Sequence, residues 1–109
     1  MLYDGLVGSL SRAVEAVREG RIEEAHNALI KSQEIILELD ASLNMDYEIS
    51  RHLHAVYDFL HRQAVDANVH KDAGMAESCL ALVKELRSAW RQVIDKQAGV
   101  TATDAAELK

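Results

Sequence analysis

The segment from Arg21 to Leu43 carries two apolar stripes where an ordinary amphipathic helix carries one. Its first stripe recurs at alternating spacings of three and four residues: Ile22, Ala25, Leu29, Ser32, Ile36, Leu39 and Leu43. This spacing keeps one face of a helix turned towards a partner over its whole length. Ile30 and Leu37 form a second set, about 100 to 120° around the helix from Ile36. One stripe is enough for a bundle core, so the second predicts an additional contact surface.

Three further segments show the same helical period. Their apolar stripes are Leu2, Leu6, Leu10, Ala13 and Val17; Ile49, Leu53, Val56 and Leu60; and Met75, Cys79, Leu82, Leu86 and Val93. We expect Gly20 to end the first helix in a left-handed conformation, and Asn44 or Asp46 to cap the third. Residues 68–74 are predicted to connect the third and fourth helices.

The composition excludes most alternatives to a helical fold. The 109 residues include no proline and only five glycines, and no β-branched residues cluster with period-two alternation. Short connections between consecutive helices make them run in opposite directions. The sequence therefore predicts an all-α protein, an antiparallel up-down-up-down four-helix bundle over residues 1–97. Residues 98–109 are expected to form a C-terminal tail, either flexible or folded into one short helical turn.

The charge balance favours a protein partner. The formal net charge is −6, and no cluster of lysine and arginine offsets it, so nucleic acid and anionic membranes would be repelled. No apolar run approaches the roughly 18 to 20 residues that cross a bilayer, so membrane insertion is not expected. The single cysteine, Cys79, lies on an apolar stripe and is interpreted as a small buried side chain. These features favour a cytosolic protein.

The sequence shows no pattern of enzymatic chemistry. Its five histidines lack zinc-ligand spacings, and no serine–histidine–aspartate arrangement or glycine-rich phosphate loop occurs. We therefore predict no catalytic residues, no metal and no cofactor. A histidine phosphotransfer domain is one alternative, with His26 on the second helix as the reactive group. The glycine that lets a response regulator approach in such domains is missing after His26, which makes this alternative the weaker one.

Several motifs in order along the chain resemble one family, the flagellin export chaperone FliS. They are Leu2-Tyr3-Asp4-Gly5, the run from Glu24 to Leu39, Ser42-Leu43-Asn44, Leu53-x-x-Val56-Tyr57-x-Phe59-Leu60, Ala67-Asn68 and Leu86-Arg87-x-x-Trp90. The resemblance covers residues 2 to about 90. Its specificity comes from residues outside the apolar stripes, such as Asp4, Gln33 and Asn68. Family members carry a further segment before the first motif, and this sequence is expected to lack it.

The resemblance implies a function in flagellum assembly. A FliS protein binds the disordered C-terminal segment of flagellin in the cytosol, prevents premature polymerisation and keeps flagellin competent for type III export. Other flagellar export or regulatory proteins are further expected partners. The resemblance implies no nucleotide and no turnover.

The apolar residues outside the predicted bundle stripes are the candidates for a flagellin-binding groove. They are Ile30, Leu37, Tyr57, Phe59, Leu80, Val83 and Ile94. An amphipathic helix of the partner would be recognised through anchors spaced three and four residues apart. The same exposed stripe is also compatible with a homodimer interface, which stays as an alternative.

Overall fold

Four helices make up the structure, a computed structural model that describes the backbone of residues 2–108 and the side chains of residues 2–92. The helices are α1 (Leu2–Arg18), α2 (Ile22–Ala41), α3 (Glu48–His70) and α4 (Ala73–Leu108). No strand occurs within residues 2–108, and the all-α fold class is confirmed. No helix in this part of the chain is both long and apolar enough to span a membrane.

Contacts between side chains show how neighbouring helices run. Along α1 and α4, Asp4 reaches Arg87 and Arg18 reaches Glu77, so the two helices are antiparallel. Along α2 and α3, His26 contacts Asn68 and His54 contacts Asp40, again in opposite directions. Each helix packs against two neighbours, in the cyclic order α1, α2, α3, α4. This is the arrangement of an up-down-up-down bundle.

The turn between α1 and α2 has the predicted form. Gly20 adopts a left-handed conformation with φ of 73°, which a side chain would strain. The amide of Arg21 then donates to the carbonyl of Ala16 over 2.8 Å, and the amide of Gly20 donates to Val17 over 3.1 Å. These two bonds satisfy carbonyls that the end of a helix leaves free.

The connection between α3 and α4 is shorter than residues 68–74, so that prediction was wrong. Only Lys71 and Asp72 lie between the helices, because each of them caps one helix end. Lys71 takes a left-handed φ of 50°, and its Nζ donates to the carbonyl oxygen of Asn68 over 2.6 Å. The Oδ1 atom of Asp72 accepts the amide of Met75 at the start of α4.

The turn between α2 and α3 also differs from its prediction. Tyr47 precedes the first residue of α3, and its side chain makes no capping hydrogen bond. The Oδ1 atom of Asn44 instead accepts the amide of Asp46 over 3.0 Å, which closes the turn itself. Neither Asn44 nor Asp46 is the N-cap residue.

The backbone of α4 stays helical through Leu108, across the boundary proposed at residue 97. The division into a bundle over residues 1–97 and a tail over residues 98–109 stays a prediction.

The core consists of residues from the first apolar stripe of each helix together with residues beside the stripes, such as Val14, Ile35 and Val83. Its largest fully buried apolar side chains are Leu6, Leu10, Leu29, Ile36, Leu60 and Val83. Ser32 is also buried, and its hydroxyl donates to the carbonyl of Ala28 one turn earlier. Within residues 2–92, no buried side-chain nitrogen or oxygen is left without a hydrogen-bond partner. The bundle therefore buries its polar atoms without a large penalty.

Two leucines of α2 provide a test of this packing. Leu29 is fully buried whereas Leu37 is 53% exposed. We expect Leu29→Ala to lower the free energy of unfolding by about 2 to 5 kcal/mol, because it removes buried methyl groups and leaves a cavity. Leu37→Ala should change it by less than about 1 kcal/mol. Urea unfolding followed by circular dichroism measures both, and equal losses would contradict the assignment of the two faces.

Candidate partner-binding surface

Apolar side chains outside the core are the most prominent surface feature of the described chain. The large exposed ones are Leu2, Ile22, Leu37, Met45, Tyr47, Ile49, Phe59 and Val69. Isolated exposed apolar residues are normal in any protein. Grouped along helix faces, they indicate a surface for a partner.

The first group lies along the outer edge of α2 next to α3. Leu37 lies about 60° around α2 from Asp40, whose carboxylate contacts His54 of α3. Ile30, seven residues before Leu37, is on the same face and is half-buried. The two residues therefore form an apolar strip on the α2–α3 side of the bundle.

The second group lies on the α3–α4 side. Phe59 is 46% exposed and lies about 180° around α3 from Asn68, which contacts α2, and about 100° from Leu60, whose carbonyl contacts Cys79 of α4. It therefore lies on the outer edge of α3 on the side of α4. Beside it, Val56 of α3 and Leu82 and Leu86 of α4 are only partly buried. Helices α3 and α4 make the least extensive contact of the four neighbouring pairs. This side therefore has the most open apolar seam.

Sequence reasoning missed part of this seam. Val56, Leu82 and Leu86 belong to regular heptad stripes, which predict a closed core. In the structure they remain partly accessible, because α3 and α4 do not close fully over them. The periodicity of the apolar residues in a helix does not determine how closely that helix approaches its neighbour.

The third group is on the α1–α4 side. A shallow groove of about 400 Å³ lies there, with Val14 and Leu80 as its apolar lining. Leu80 is half-buried and packs against the core. An ion pair between Arg18 and Glu77 crosses from one helix to the other within the groove.

The remaining predicted residues are placed differently. Tyr57 is 3% exposed and Val83 is 0% exposed, so both side chains belong to the core. Ile94 lies outside the residues whose side chains the structure describes. Of the seven candidates, Ile30, Leu37, Phe59 and Leu80 thus have accessible surface, and they are spread over three sides of the bundle.

A hydrogen-bonded aromatic cluster joins three helices at one end of the bundle. The Tyr3 hydroxyl of α1 contacts the Tyr57 hydroxyl of α3, and the indole Nε1 of Trp90 in α4 donates to Tyr3 over 3.0 Å. Burial and the contact with Tyr3 raise the pKa of the Tyr57 phenol above its usual value. Tyr57 therefore stays neutral, and its hydroxyl serves to position the helices.

Neither His26 nor Cys79 has the surroundings of a reactive group. The Nδ1 atom of His26 lies 3.1 Å from the amide nitrogen of Asn68, whose Oδ1 accepts from Lys71. Burial raises the pKa of the Cys79 thiol to about 12, which leaves it protonated at neutral pH. Across the described side chains, no three histidine, cysteine, aspartate or glutamate residues come together as a metal site.

The contact between His54 and Asp40 ties α3 to the end of α2. The Nδ1 of His54 and the Oδ1 of Asp40 lie 2.6 Å apart, and this hydrogen bond raises the pKa of His54 above its usual value of 6.5. The contact links the folded stability to pH, because the unfolded chain lacks it.

The sign of this pH dependence follows from the raised pKa. The stabilisation from His54 is fully present below pH 6.5 and is lost as the pH rises through the pKa in the folded state. We expect His54→Gln to lower the Tm more at pH 5.5 than at pH 8.5, with calorimetry as the measurement. His52→Gln, on the opposite side of α3, is the control. A Tm loss for His54→Gln that is the same at both pH values would contradict the pairing.

Comparison with known proteins identifies the family. A sequence profile described as "Flagellar protein FliS" matches residues 1–97. The chain belongs to the FliS family. FliS proteins are flagellar secretion chaperones, and the resemblance found in the motifs is confirmed.

Individual FliS proteins align with most of the chain. The flagellar secretion chaperone FliS of Bacillus subtilis is 36% identical over 97 residues, which cover 89% of this chain and 73% of that protein. The Salmonella typhimurium FliS is 32% identical over 99 residues, covering 88% and 73% of the two chains. The Vibrio cholerae FliS is 29% identical over 106 residues, covering 95% and 78%.

The motif residues outside the core now have structural roles in this FliS protein. Asp4 pairs with Arg87, Asn68 contacts His26, and Trp90 donates to Tyr3. All three contacts cross between helices. These motif residues therefore fix the position of neighbouring helices relative to each other along the bundle axis.

Proposed function

We propose that the protein is a cytosolic flagellar export chaperone that binds the disordered C-terminal segment of flagellin. Binding prevents premature polymerisation and keeps the segment competent for type III export. Family membership over residues 1–97 supports this function. The observation that carries it is the distribution of accessible apolar residues over three sides of one bundle.

That distribution constrains how the segment binds. Leu37, Phe59 and Leu80 lie on the α2–α3, α3–α4 and α1–α4 sides. A single straight helix laid in one groove reaches only one of these sides. A segment that contacts all three extends around the bundle, which an unfolded chain can do and a preformed globular domain cannot.

The energies of the individual contacts also favour binding on more than one side of the bundle. Full burial of a large apolar side chain contributes about 1.5 to 3 kcal/mol, so a residue that is already half-buried adds about 1 kcal/mol. Ordering a disordered partner costs roughly 2 to 5 kcal/mol or more. Two anchors on one side do not offset this cost. Useful affinity needs anchors on more than one side, together with apolar residues of the partner.

The function is binding without turnover. The thiol of Cys79 is buried and protonated, and the Nδ1 of His26 is engaged with Asn68 of α3. We therefore assign the protein no catalytic step and no cofactor. Release of flagellin is left to the export apparatus, a further partner of the chaperone.

Substitution of one anchor on each of two sides tests this proposal. We expect Leu37→Asp and Phe59→Asp each to weaken binding of the flagellin C-terminal segment about tenfold or more, because a carboxylate is desolvated where apolar area was buried. Isothermal titration calorimetry measures the affinity. Both residues are about half exposed, so the Tm should change little.

Met45→Asp is the matched control for these variants. Met45 is 46% exposed, as Phe59 is, and lies in the turn between α2 and α3, not on a helix face. Its substitution should leave the affinity unchanged. A wild-type protein that binds no flagellin segment, but forms a dimer that Leu37→Asp dissociates in light scattering, would replace the proposed function with the homodimer alternative.

A further inference from the structure

Charged side chains line the groove on the α1–α4 side of the bundle. Its apolar lining is Val14 of α1 and Leu80 of α4. The charged lining consists of three carboxylates and one guanidinium: Glu15, Glu19, Glu77 and Arg18. The groove therefore places an excess of negative charge beside apolar surface.

Neighbouring arginines do not neutralise this excess. Arg18 pairs with Glu77 across the groove. Arg21 is shared by three carboxylates: Glu15, Glu19 and Glu24. Its Nη2 atom lies 3.8 Å from the carboxylate of Glu15, whose side chain is 66% exposed. Four carboxylates thus share two guanidinium groups at this part of the α1–α4 side, which we call the acidic end.

The other end of the α1–α4 side has the opposite charge. Arg87 and Arg91 both contact the carboxylate of Asp4, over 3.1 Å and 3.4 Å. Lys84 is exposed and lies about one turn before Arg87. Leu80 and these three cations are spaced four, three and four residues apart, so they lie on one face of α4. Among the described side chains, this basic end therefore carries an excess of positive charge.

The two ends lie far enough apart to act separately. Arg87 and Arg91 follow Glu77 by 10 and 14 residues, which is about 15 to 21 Å along α4. The Debye length at physiological ionic strength is about 8 Å, so exposed charges at one end are largely screened from those at the other. The α1–α4 side is therefore polarised along its length.

The surface between the two ends leaves room for a partner. Gly8 and Ser11 lie on the face of α1 that carries Asp4 and Arg18, because these positions are spaced three, four and seven residues apart. A Cβ atom at Gly8 would meet only the guanidinium of Arg12, at 4.0 Å. A bound helix can therefore lie close to α1 between the acidic and the basic end.

The open seam between α3 and α4 has no comparable order of charges. Among the side chains of residues 2–92, no ion pair joins these two helices. The partly buried residues along the seam are apolar: Val56, Leu82 and Leu86. Apolar contacts alone accept a helix in either direction, whereas a polarised side favours one direction.

We propose that the α1–α4 side binds a helical stretch of the flagellin segment in one direction only, with lysine or arginine side chains over the acidic end and aspartate or glutamate side chains over the basic end. The two sets of partner charges lie about three to four helical turns apart, and apolar side chains between them cover Val14 and Leu80. This occupant rests on the proposed function. The polarity of the α1–α4 side does not, and it is measured separately with a designed peptide.

Removal of charge at either end tests the proposal with the flagellin segment. Glu15→Gln with Glu77→Gln removes two carboxylates from the acidic end, and Lys84→Gln with Arg91→Gln removes two cations from the basic end. We expect each pair to weaken binding about three- to tenfold in calorimetric titration at low salt, because each removes exposed ion pairs with the segment. At about 0.5 M NaCl the loss should largely disappear, since salt screens exposed charges.

The two pairs of substitutions distinguish directed binding from attraction between net charges. They change the net charge of the protein in opposite directions, so attraction by net charge alone would strengthen one complex and weaken the other. Weaker binding of both pairs is the expected result. Effects of opposite sign, or an unchanged affinity in both pairs, would overturn the proposal.

Glu38→Gln with Asp46→Asn is the matched control for the acidic end. It also removes two exposed carboxylates, one from α2 and one from the turn between α2 and α3. Its affinity for the flagellin segment should equal that of the wild type. A loss as large as that of the Glu15 and Glu77 pair would show that the position of the charge does not matter, which contradicts the proposal.

A designed peptide tests the polarity on the full-length wild-type chain without flagellin. The peptide carries leucines spaced three and four residues apart, lysines at one end and glutamates about three turns away, with a nitroxide label at one end or the other. We expect the label at the lysine end to broaden the amide NMR signals of residues 11–19, and the label at the glutamate end to broaden those of residues 84–91. Equal broadening at both ends, broadening mainly on α2 and α3, or no binding of the peptide would overturn the polarity.

The two experiments separate this inference from the proposed function. If the flagellin segment does not bind the wild-type protein, the proposed function is overturned, while the peptide still decides whether the α1–α4 side is polarised. If the segment binds and neither charge pair weakens it, the proposed function stands and the directed binding on this side is overturned.

Discussion

Each helix of this bundle can turn only one face to the shared core, and this constraint determines what the rest of the surface must do. In α2 the buried face extends from Ile35 to Leu29, about 120° around the helix, and Leu37 and Ile30 lie beyond its edge on the side of α3. A bundle of four helices has no further layer to cover them. Their exposure is therefore built into the spacing of the sequence and is not an accident of loose packing.

The polar contacts between helices complement the apolar core. Apolar stripes with a repeating period allow a helix to slide by a turn, because each register buries a similar area. The contacts of Asp40 with His54, His26 with Asn68 and Tyr3 with Trp90 each fit one register only. Buried or shared hydrogen-bonding groups lose their partners when a helix shifts, and this cost selects a single arrangement.

The periodicity of the sequence was sufficient to predict the helices and the bundle, because spacing and glycine placement act locally. The end of α1 at Gly20 and the burial of Leu29 follow from such local rules. The length of the α3–α4 turn was predicted wrongly, because Lys71 adopts a left-handed conformation that the local sequence does not indicate. In this conformation the Lys71 side chain donates to the carbonyl of Asn68, a contact that the residue types alone do not indicate.

The candidate surface was only partly predictable for a related reason. Leu37 and Phe59 were recognisable because they lie off the heptad stripe. Tyr57 also lies beside its stripe, yet it is buried because its hydroxyl meets Tyr3 from a helix more than 50 residues away in sequence. Val56 and Leu86 lie on their stripes and remain accessible, since the separation of α3 and α4 is a tertiary property. The partner was predicted from the family resemblance, because the spacing of apolar residues does not identify a partner.

The α3–α4 and α2–α3 connections differ in how well they would tolerate an insertion. Lys71 and Asp72 close α3 onto α4 through side-chain caps at both helix ends, so an added residue there would break the caps. Residues 42–47 form a longer turn on the surface, and the side chain of Tyr47 makes no capping hydrogen bond. An epitope tag, a fluorophore or the new termini of a circular permutant could be placed in this second connection without disturbing the packing of the helices.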